Sequence, residues 1–205
     1  SMPGWARRVG LFLTAQTISV FGSFLVQYAI MWHLTLTTKS GVVLAMAAIF
    51  GFLPQAIVSI FAGVWADRVN RKIMIIAADA SIAVATLGLA LLMLSGVKDL
   101  WLIFVVMAVR SVGAGVQMPA VSAVIPQIVP ADKLMRINGI NSSIQSVTGL
   151  LAPVAAAAVY ANMSIVPIFF IDVVTAIIGI SIFSFIRVPS LDRVNSDEKP
   201  SYFAT

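Results

Sequence analysis

The chain consists of long apolar stretches separated by short polar turns. No Asp, Glu, Lys or Arg occurs from Val9 to Thr38 or from Ser40 to Ala66. Each stretch exceeds the roughly 20 residues that a helix needs to cross a bilayer. The apolar residues do not alternate as in barrel strands, and backbone groups in lipid need internal partners, so these stretches are expected to be helices. The pattern predicts six spans, at residues 10–34, 41–66, 73–95, 101–125, 138–160 and 164–187.

The chain becomes polar from Pro189 onward. We therefore expect residues 1–188 to form one six-helix transmembrane domain, and residues 189–205 to form a flexible cytoplasmic linker or tail. The expected fold class is an all-α membrane protein. No internal repeat is visible in the sequence itself.

Composition narrows the function classes. Charged residues make up 10% of the chain, against about 25% in soluble domains. The absence of cysteine excludes disulfides, thiolate metal sites and cysteine nucleophiles. With one histidine, and no Glu before Glu198, a membrane enzyme is disfavoured. A channel is disfavoured because no filter-like loop is present. No cofactor and no metal are expected.

The basic residues indicate orientation. Ten fall on one side of the predicted spans and only Lys39 and Lys98 on the other, while Arg110 lies inside a span. The positive-inside rule places the richer side in the cytoplasm. The chain is thus expected in a bacterial inner membrane with both termini cytoplasmic, and no nucleic-acid partner is expected for its charge of +5. The ten are Arg7, Arg8, Arg68, Arg71, Lys72, Lys133, Arg136, Arg187, Arg193 and Lys199.

Three ionisable residues lie within spans: Asp79, Arg110 and Asp172. Each costs about 2.5–3.5 kcal/mol at the bilayer centre, so each should find a partner. Similar depth makes Arg110 with Asp172 the preferred pair, and Arg110 with Asp79 the second choice. Such a group serves either as a proton-coupling or gating element, or only as a buried pair that fixes helix packing.

Polar residues also form stripes along three spans. In the first span Gln16, Ser19, Ser23 and Gln27 are spaced as one helical face, and Gln117 shares a face with Arg110 in the fourth. Both stripes are candidates to line a substrate cavity, with interhelical hydrogen bonding as the alternative. In the fifth span a similar face is expected to pack against neighbours instead. Its residues are Asn141, Gln145, Thr148 and Ala152.

The turn between the second and third spans carries a family motif. Gly63, Asp67, Arg68, Arg71 and Lys72 match five of six defined positions of G-x-x-x-D-R-x-G-R-R/K, with Asn70 in place of the last glycine. This motif resembles the signature loop of the major facilitator superfamily. The resemblance implies the amino-terminal six-helix half of that fold, a three-plus-three helix repeat, and a loop that latches one conformation. A plain positively charged loop is the alternative.

Two weaker resemblances accompany it. Arg110, Gly113 and Gly115 are similar to the family's R-x-x-x-G-x-G pattern, displaced by one residue at the glycines, which implies a role for Arg110 in proton coupling. The fifth span resembles a degraded antiporter motif, which favours export. The residues that carry it are Gly139, Thr148, Ala152, Pro153, Ala156 and Ala157.

Within the superfamily the chain resembles the branch of macrolide-efflux proteins and enterobactin exporters. The resemblance implies proton-coupled efflux of amphipathic drugs such as macrolides, or of siderophores. Import of a small solute is the alternative. The matching residues are Val26, Gln27, Ala29, Trp32, Ala66, Asp67, Arg68, Arg136, Asn138, Ile171 and Asp172.

Six spans are half of the twelve that such transporters use, with substrate bound between the halves. The expected partners are therefore the lipid bilayer, a small-molecule substrate, protons, and either a carboxy-terminal half or a second copy of the chain. Alone, the 205 residues are expected to be a non-transporting, membrane-embedded half-domain.

Overall fold

The computed structural model describes residues 3–188, and the predicted tail at 189–205 lies outside these described residues. Within them, six helices are long and apolar enough to cross a membrane. A single turn of 3-10 helix, Ala131–Lys133, precedes the fifth. The helices are α1 Trp5–Thr38, α2 Gly41–Ala66, α3 Arg71–Leu94, α4 Leu100–Ile128, α5 Leu134–Asn162 and α6 Ile165–Ser184.

Polar residues decide several helix ends, and at α1 and α6 these ends differ from the predicted spans. α1 begins at Trp5 and includes two arginines, because a helix can extend beyond the apolar part of the bilayer. It ends where Lys39 adopts a left-handed conformation with φ of 49°. α2 begins after Ser40, whose side chain accepts a hydrogen bond from the backbone N–H of Val43. α6 ends at Ser184, three residues before the end of the predicted span.

The helices pack in a pattern that repeats after three. α1 packs against α5 and α6, and α4 packs against α2 and α3. If α1, α2 and α3 are exchanged with α4, α5 and α6, the contacts of α1 become the contacts of α4. The contact between α3 and α6 is unchanged by this exchange. The packing thus has the three-plus-three arrangement that the family resemblance implies.

Two glycines allow α4 to lie close to both of its main neighbours. A Cβ atom on Gly115 would lie 2.7 Å from the backbone oxygen of Gln55 in α2. One on Gly113 would lie 2.7 Å from the side chain of Ile82 and 3.3 Å from the backbone oxygen of Ala78, both in α3. Small residues at such contacts let helix backbones approach each other in a membrane.

Two apolar clusters fill opposite ends of the bundle. One centres on Phe12, Ile125 and Phe183, and the other on Ile30 and Phe169. The middle turns of α1, α3, α4 and α6 lie between these clusters, and most of the buried polar residues are located there. We call this layer the polar belt. Its members are Gln16, Ser19, Asp79, Thr86, Arg110, Ser111, Gln117 and Asp172.

Candidate functional site

An ion pair between Arg110 and Asp172 lies at the centre of the polar belt. The two side chains are 4% and 1% exposed, and Arg110 Nη1 contacts Asp172 Oδ2. Nη1 also donates to the hydroxyl of Thr86, and Nη2 donates to the backbone oxygen of Ser23 at 2.9 Å. The preferred pairing of the sequence analysis is therefore present, and it joins α4 to α6 with α1 and α3 as further partners.

Serines of α1 bind both buried carboxylates. Ser23 Oγ donates to Asp172 Oδ1 at 3.2 Å, and Ser19 Oγ donates to Asp79 Oδ1 at 3.0 Å. Asp79 is only 3% exposed, and no salt bridge to it occurs among the described residues. The second-choice pairing of Arg110 with Asp79 is thus not formed in this structure.

A cleft beside the ion pair has the features of a ligand cavity. It opens to the surroundings and is lined by residues of α1, α2, α3, α4 and α5. Gln16 and Gln117 meet across it, with Nε2 of Gln117 donating to Oε1 of Gln16 at 3.0 Å. Ser23, Gln27 and Arg110 complete the predicted polar wall. Apolar side chains supply most of the rest, among them Val20, Phe24, Phe52, Ile82, Met118, Val121 and Ile144.

One sequence prediction about the cavity is wrong, and a second holds only in part, because Thr148 and Ala152 of α5 are buried as expected. Ser19 does not line it, because at about 100° per residue Ser19 lies about 60° from Gln16 around the helix and faces α3 and α6 instead. Conversely, the predicted packing face of α5 contributes Asn141, Gln145 and Thr148 to the cavity wall. The spacing identified a common face, but the sequence did not show which neighbour that face meets.

The antiporter-like residues of α5 fall into two groups. Thr148, Ala152 and Ala156 are buried, in the helix that packs chiefly on α1. Pro153 and Ala157 are half-buried and Gly139 is exposed. A Cβ on Gly139 would have no heavy atom within 4 Å, so this glycine has no packing role in the described part of the chain.

Arg71 of the signature loop binds the ends of two helices. Its Nε donates to the backbone oxygen of Ala66 at 2.7 Å, and its Nη1 donates to the backbone oxygen of Ala123 in α4 at 2.9 Å. The ion pair with Asp67 is longer, at 3.7 Å, and the Asp67 side chain is 78% exposed. Backbone oxygens, rather than the nearest acid, are therefore the main partners of Arg71, while Arg68 is exposed.

Lys72 and Asn70 complete the loop in ways that the sequence did not predict. Lys72 Nζ donates to the backbone oxygens of Ser184 and Ile186, at 2.9 and 2.6 Å, where α6 ends. The glycine of the family motif would allow a left-handed backbone, but Asn70 has an extended backbone and caps α3, accepting from the N–H of Lys72. A glycine in such a motif could let a neighbouring backbone come close, but a Cβ atom on Gly63 would have no heavy atom of the described residues within 4 Å.

Sequence reasoning missed two residues of the polar belt. Thr86 follows Asp79 by seven residues, which is two helical turns, so the shared face was available as a signal. Ser111 accepts from the backbone N–H of Gln55 at 2.9 Å, directly after Pro54. A proline disturbs the hydrogen bonds of its helix, and such groups can be satisfied by serine from a neighbouring helix.

Two known proteins are similar to this chain in sequence. "Macrolide efflux protein A" of Streptococcus pyogenes is 35% identical over 193 residues, covering 94% of this chain and 48% of the relative. A protein of the same name from Enterococcus faecalis is 35% identical over 158 residues, covering 77% of this chain and 49% of the relative. The chain thus spans about half the length of these relatives.

A solved structure shows the same fold. A bacterial homologue of the human lysosomal transporter Spinster, in an inward-facing and unoccupied conformation, superposes with a TM-score of 0.67 at 13% identity. The match covers 93% of this chain and 44% of that one. The family model described as Major Facilitator Superfamily matches residues 9–204. The chain therefore belongs to the major facilitator superfamily.

Proposed function

We propose that this chain is the amino-terminal half of a transporter that exports amphipathic drugs of the macrolide type in exchange for protons. The observation that carries the proposal is the cleft that borders the buried Arg110–Asp172 pair. It combines a mostly apolar surface with polar side chains, and ligand sites commonly have both. The relatives whose names refer to macrolide efflux support the choice of cargo.

The composition of the cavity wall fits an amphipathic cargo. Apolar atoms make up most of the cavity surface, with phenylalanine, valine, isoleucine and methionine side chains among their sources, and amides and hydroxyls supply the polar points. Arg110 is the one charged residue of this wall within residues 3–188, and its charge is compensated by Asp172. A large apolar molecule with scattered polar groups would match such a surface.

Proton coupling is assigned to Arg110, Asp79 and Asp172. Both carboxyls are buried, but only Asp172 has a cationic partner within the described chain. A proton delivered to Asp172 would remove the negative charge that holds Arg110, and the guanidinium would have to find another acceptor. Charged groups buried in a membrane protein commonly mark such proton paths.

The signature loop is assigned the role of a conformational latch. Arg71 and Lys72 join the loop to the ends of α2, α4 and α6, and Asp67 adds an exposed ion pair. Gly63 and Arg68 of the motif make no comparable contact within the described residues, so they would act against the second half of the transporter.

Drug accumulation in cells tests the proposed transport. This chain would replace the matching half of the Streptococcus pyogenes relative, and the chimera would be expressed in bacteria that receive radiolabelled erythromycin. Export predicts several-fold lower accumulation than in vector controls, abolished by a proton uncoupler. Higher accumulation would indicate import instead. The chain alone, expressed to the same level, should leave accumulation unchanged.

Everted vesicles of the same chimera test the coupling residues. Asp79→Asn and Asp172→Asn should abolish drug movement driven by a pH gradient while leaving erythromycin binding measurable. Asp132→Asn is the matched control, because its partner Lys133 is exposed and lies outside the polar belt. Normal gradient-driven transport by both belt variants would refute the assignment.

Orientation in the membrane can be tested directly because the chain has no cysteine. We expect both termini and the signature loop on the cytoplasmic side of a bacterial inner membrane. A cysteine in place of Lys98 should react with a membrane-impermeant maleimide in intact cells, and one in place of Arg68 should react only after lysis. The reverse pattern would overturn the orientation.

A further inference from the structure

We infer that Gln27 sets the substrate class of the cavity by donating a hydrogen bond from its side-chain Nε2 to an acceptor oxygen of the cargo. The cargo would therefore be an apolar framework that carries carbonyl, ether or hydroxyl oxygens. This inference rests on the proposed function, because it concerns the same cavity.

The Gln27 amide has no acceptor of its own. Its side chain lines the cavity and the residue is only 8% exposed. Nε2 is buried, and no hydrogen-bond partner for it exists in the described part of the chain. Buried polar groups in native proteins almost always have partners. We take the unpaired donor of a residue that lines the cavity to be satisfied when a ligand binds and the amide turns toward it.

Three glutamines of the wall, Gln16, Gln55 and Gln117, differ from Gln27 in this respect, and a fourth, Gln145, is exposed. Gln117 donates to Gln16, and Gln55 Nε2 lies 3.1 Å from the sulfur of Met118. These amides already have partners within the protein. Gln27 is therefore the glutamine of this group that gains most from a ligand oxygen.

Gly51 of α2 keeps the space for this amide. A Cβ atom built on Gly51 would collide with Nε2 of Gln27 and would lie 3.3 Å from Cε of Met107. Gly51 is buried and also lines the cavity. A larger residue at position 51 would displace the amide, so the observed position of the unpaired donor depends on the glycine.

The rest of the wall also favours a ligand that accepts hydrogen bonds. Arg110 Nε is a second buried donor without a partner among residues 3–188. No Asp or Glu side chain lines the cavity in the described chain. Unpaired donors in a site discriminate strongly against ligands that leave them unpaired. A ligand with the same net charge as an oxygen-bearing cargo, but without oxygen, would not satisfy either donor.

Equilibrium dialysis with two cationic probes tests the inference. The full 205-residue chain in lipid nanodiscs would be given tritiated erythromycin, which is rich in oxygen acceptors, or tritiated tetraphenylphosphonium, which has none. Gln27→Met keeps the length of the side chain and removes the donor. We expect about fivefold weaker erythromycin binding, the size of one net hydrogen bond, and unchanged tetraphenylphosphonium binding.

Two further variants separate a local effect from a general one. Gly51→Ala should weaken erythromycin binding at least as much as Gln27→Met, because its methyl group meets the amide. Tyr28→Phe removes a polar group from the next residue of α1, outside the cavity wall, and should change neither probe. Retained tetraphenylphosphonium binding shows that a variant is folded.

The possible results are distinct. Weaker erythromycin binding by Gln27→Met, with unchanged tetraphenylphosphonium binding, supports the inference. Equal erythromycin binding by Gln27→Met and the unaltered chain overturns the inference and leaves the proposed function standing. Equal weakening of both probes also overturns it, because the amide would then shape the cavity without selecting oxygen. Failure of the unaltered chain to bind either probe overturns the proposed cavity, and the inference with it.

Discussion

Replacement of Asp172 by asparagine should destabilise the bundle strongly. The substitution keeps the shape of the side chain but removes the charge that compensates Arg110, which is 4% exposed. The acceptors that the guanidinium contacts would then all be neutral: the Thr86 hydroxyl, the Ser23 carbonyl and the amide oxygen of the introduced asparagine. Breaking a buried ion pair by removing one partner costs about 3–5 kcal/mol. Each 1 kcal/mol lowers Tm by about 2–4 °C in a domain of 150–250 residues, so we expect a fall of about 6–20 °C.

Thermal unfolding in detergent micelles, followed by circular dichroism, measures this effect. The double variant Arg110→Met with Asp172→Leu should regain much of the loss, because it removes both buried charges together. Asp132→Asn is the control, since its exposed pair with Lys133 is worth at most about 1 kcal/mol. A Tm for Asp172→Asn within 2 °C of the control, or a double variant that melts at least as low as the single one, would refute this account.

Further predictions concern the signature loop and the contact between α2 and α4. Lys72→Met should raise amide hydrogen exchange at the end of α6 and lower Tm by a few degrees, because two backbone oxygens lose their donor; Arg68→Gln, at an exposed position, should do neither. Asn70→Ala should cost about 1 kcal/mol in chemical unfolding but Asn70→Gly only a few tenths, as expected for a helix cap, and equal costs would contradict that role. Gly115→Val should abolish recovery of folded protein from membranes, whereas Gly63→Ala should be recovered normally.

Much of the fold was predictable from the sequence because lipid imposes a simple rule. A stretch such as Ser40–Ala66 has no charged residue, so its backbone can be satisfied only as a helix. α2, Gly41–Ala66, therefore has the bounds that its apolar run predicts. Helix ends were harder to predict where polar groups decide them. Lys72 binds the last backbone oxygens of α6 from a position 112 residues away from Ser184, which no local pattern reveals.

The candidate site was predictable only in part. The free-energy cost of an unpaired charge in the membrane predicted an acidic partner for Arg110. The similar depth of Arg110 and Asp172 in the membrane favoured Asp172 as that partner. The neighbours of Ser19 and Asn141 depended instead on how the helices pack against one another. Ser19 turned out to bind Asp79, and Asn141 to line the cavity. Periodicity gives the angle of a residue around its own helix, whereas the neighbour at that angle is a property of the tertiary fold.

Helix α1 is the element that connects the two parts of the site. Gln27 faces the cavity, and Ser23 binds both members of the ion pair, through its hydroxyl and its backbone oxygen. Ser19, one turn away, binds Asp79. A helix moves as a nearly rigid rod, so a cargo that displaces Gln27 also displaces the serines that hold the two carboxyls. A change in the charge of Asp172 acts on Ser23, and hence on Gln27, by the same route. In the proposed exchange of drug for proton, one segment of α1 from Ser19 to Gln27 would therefore serve both ligands without a relay through other helices.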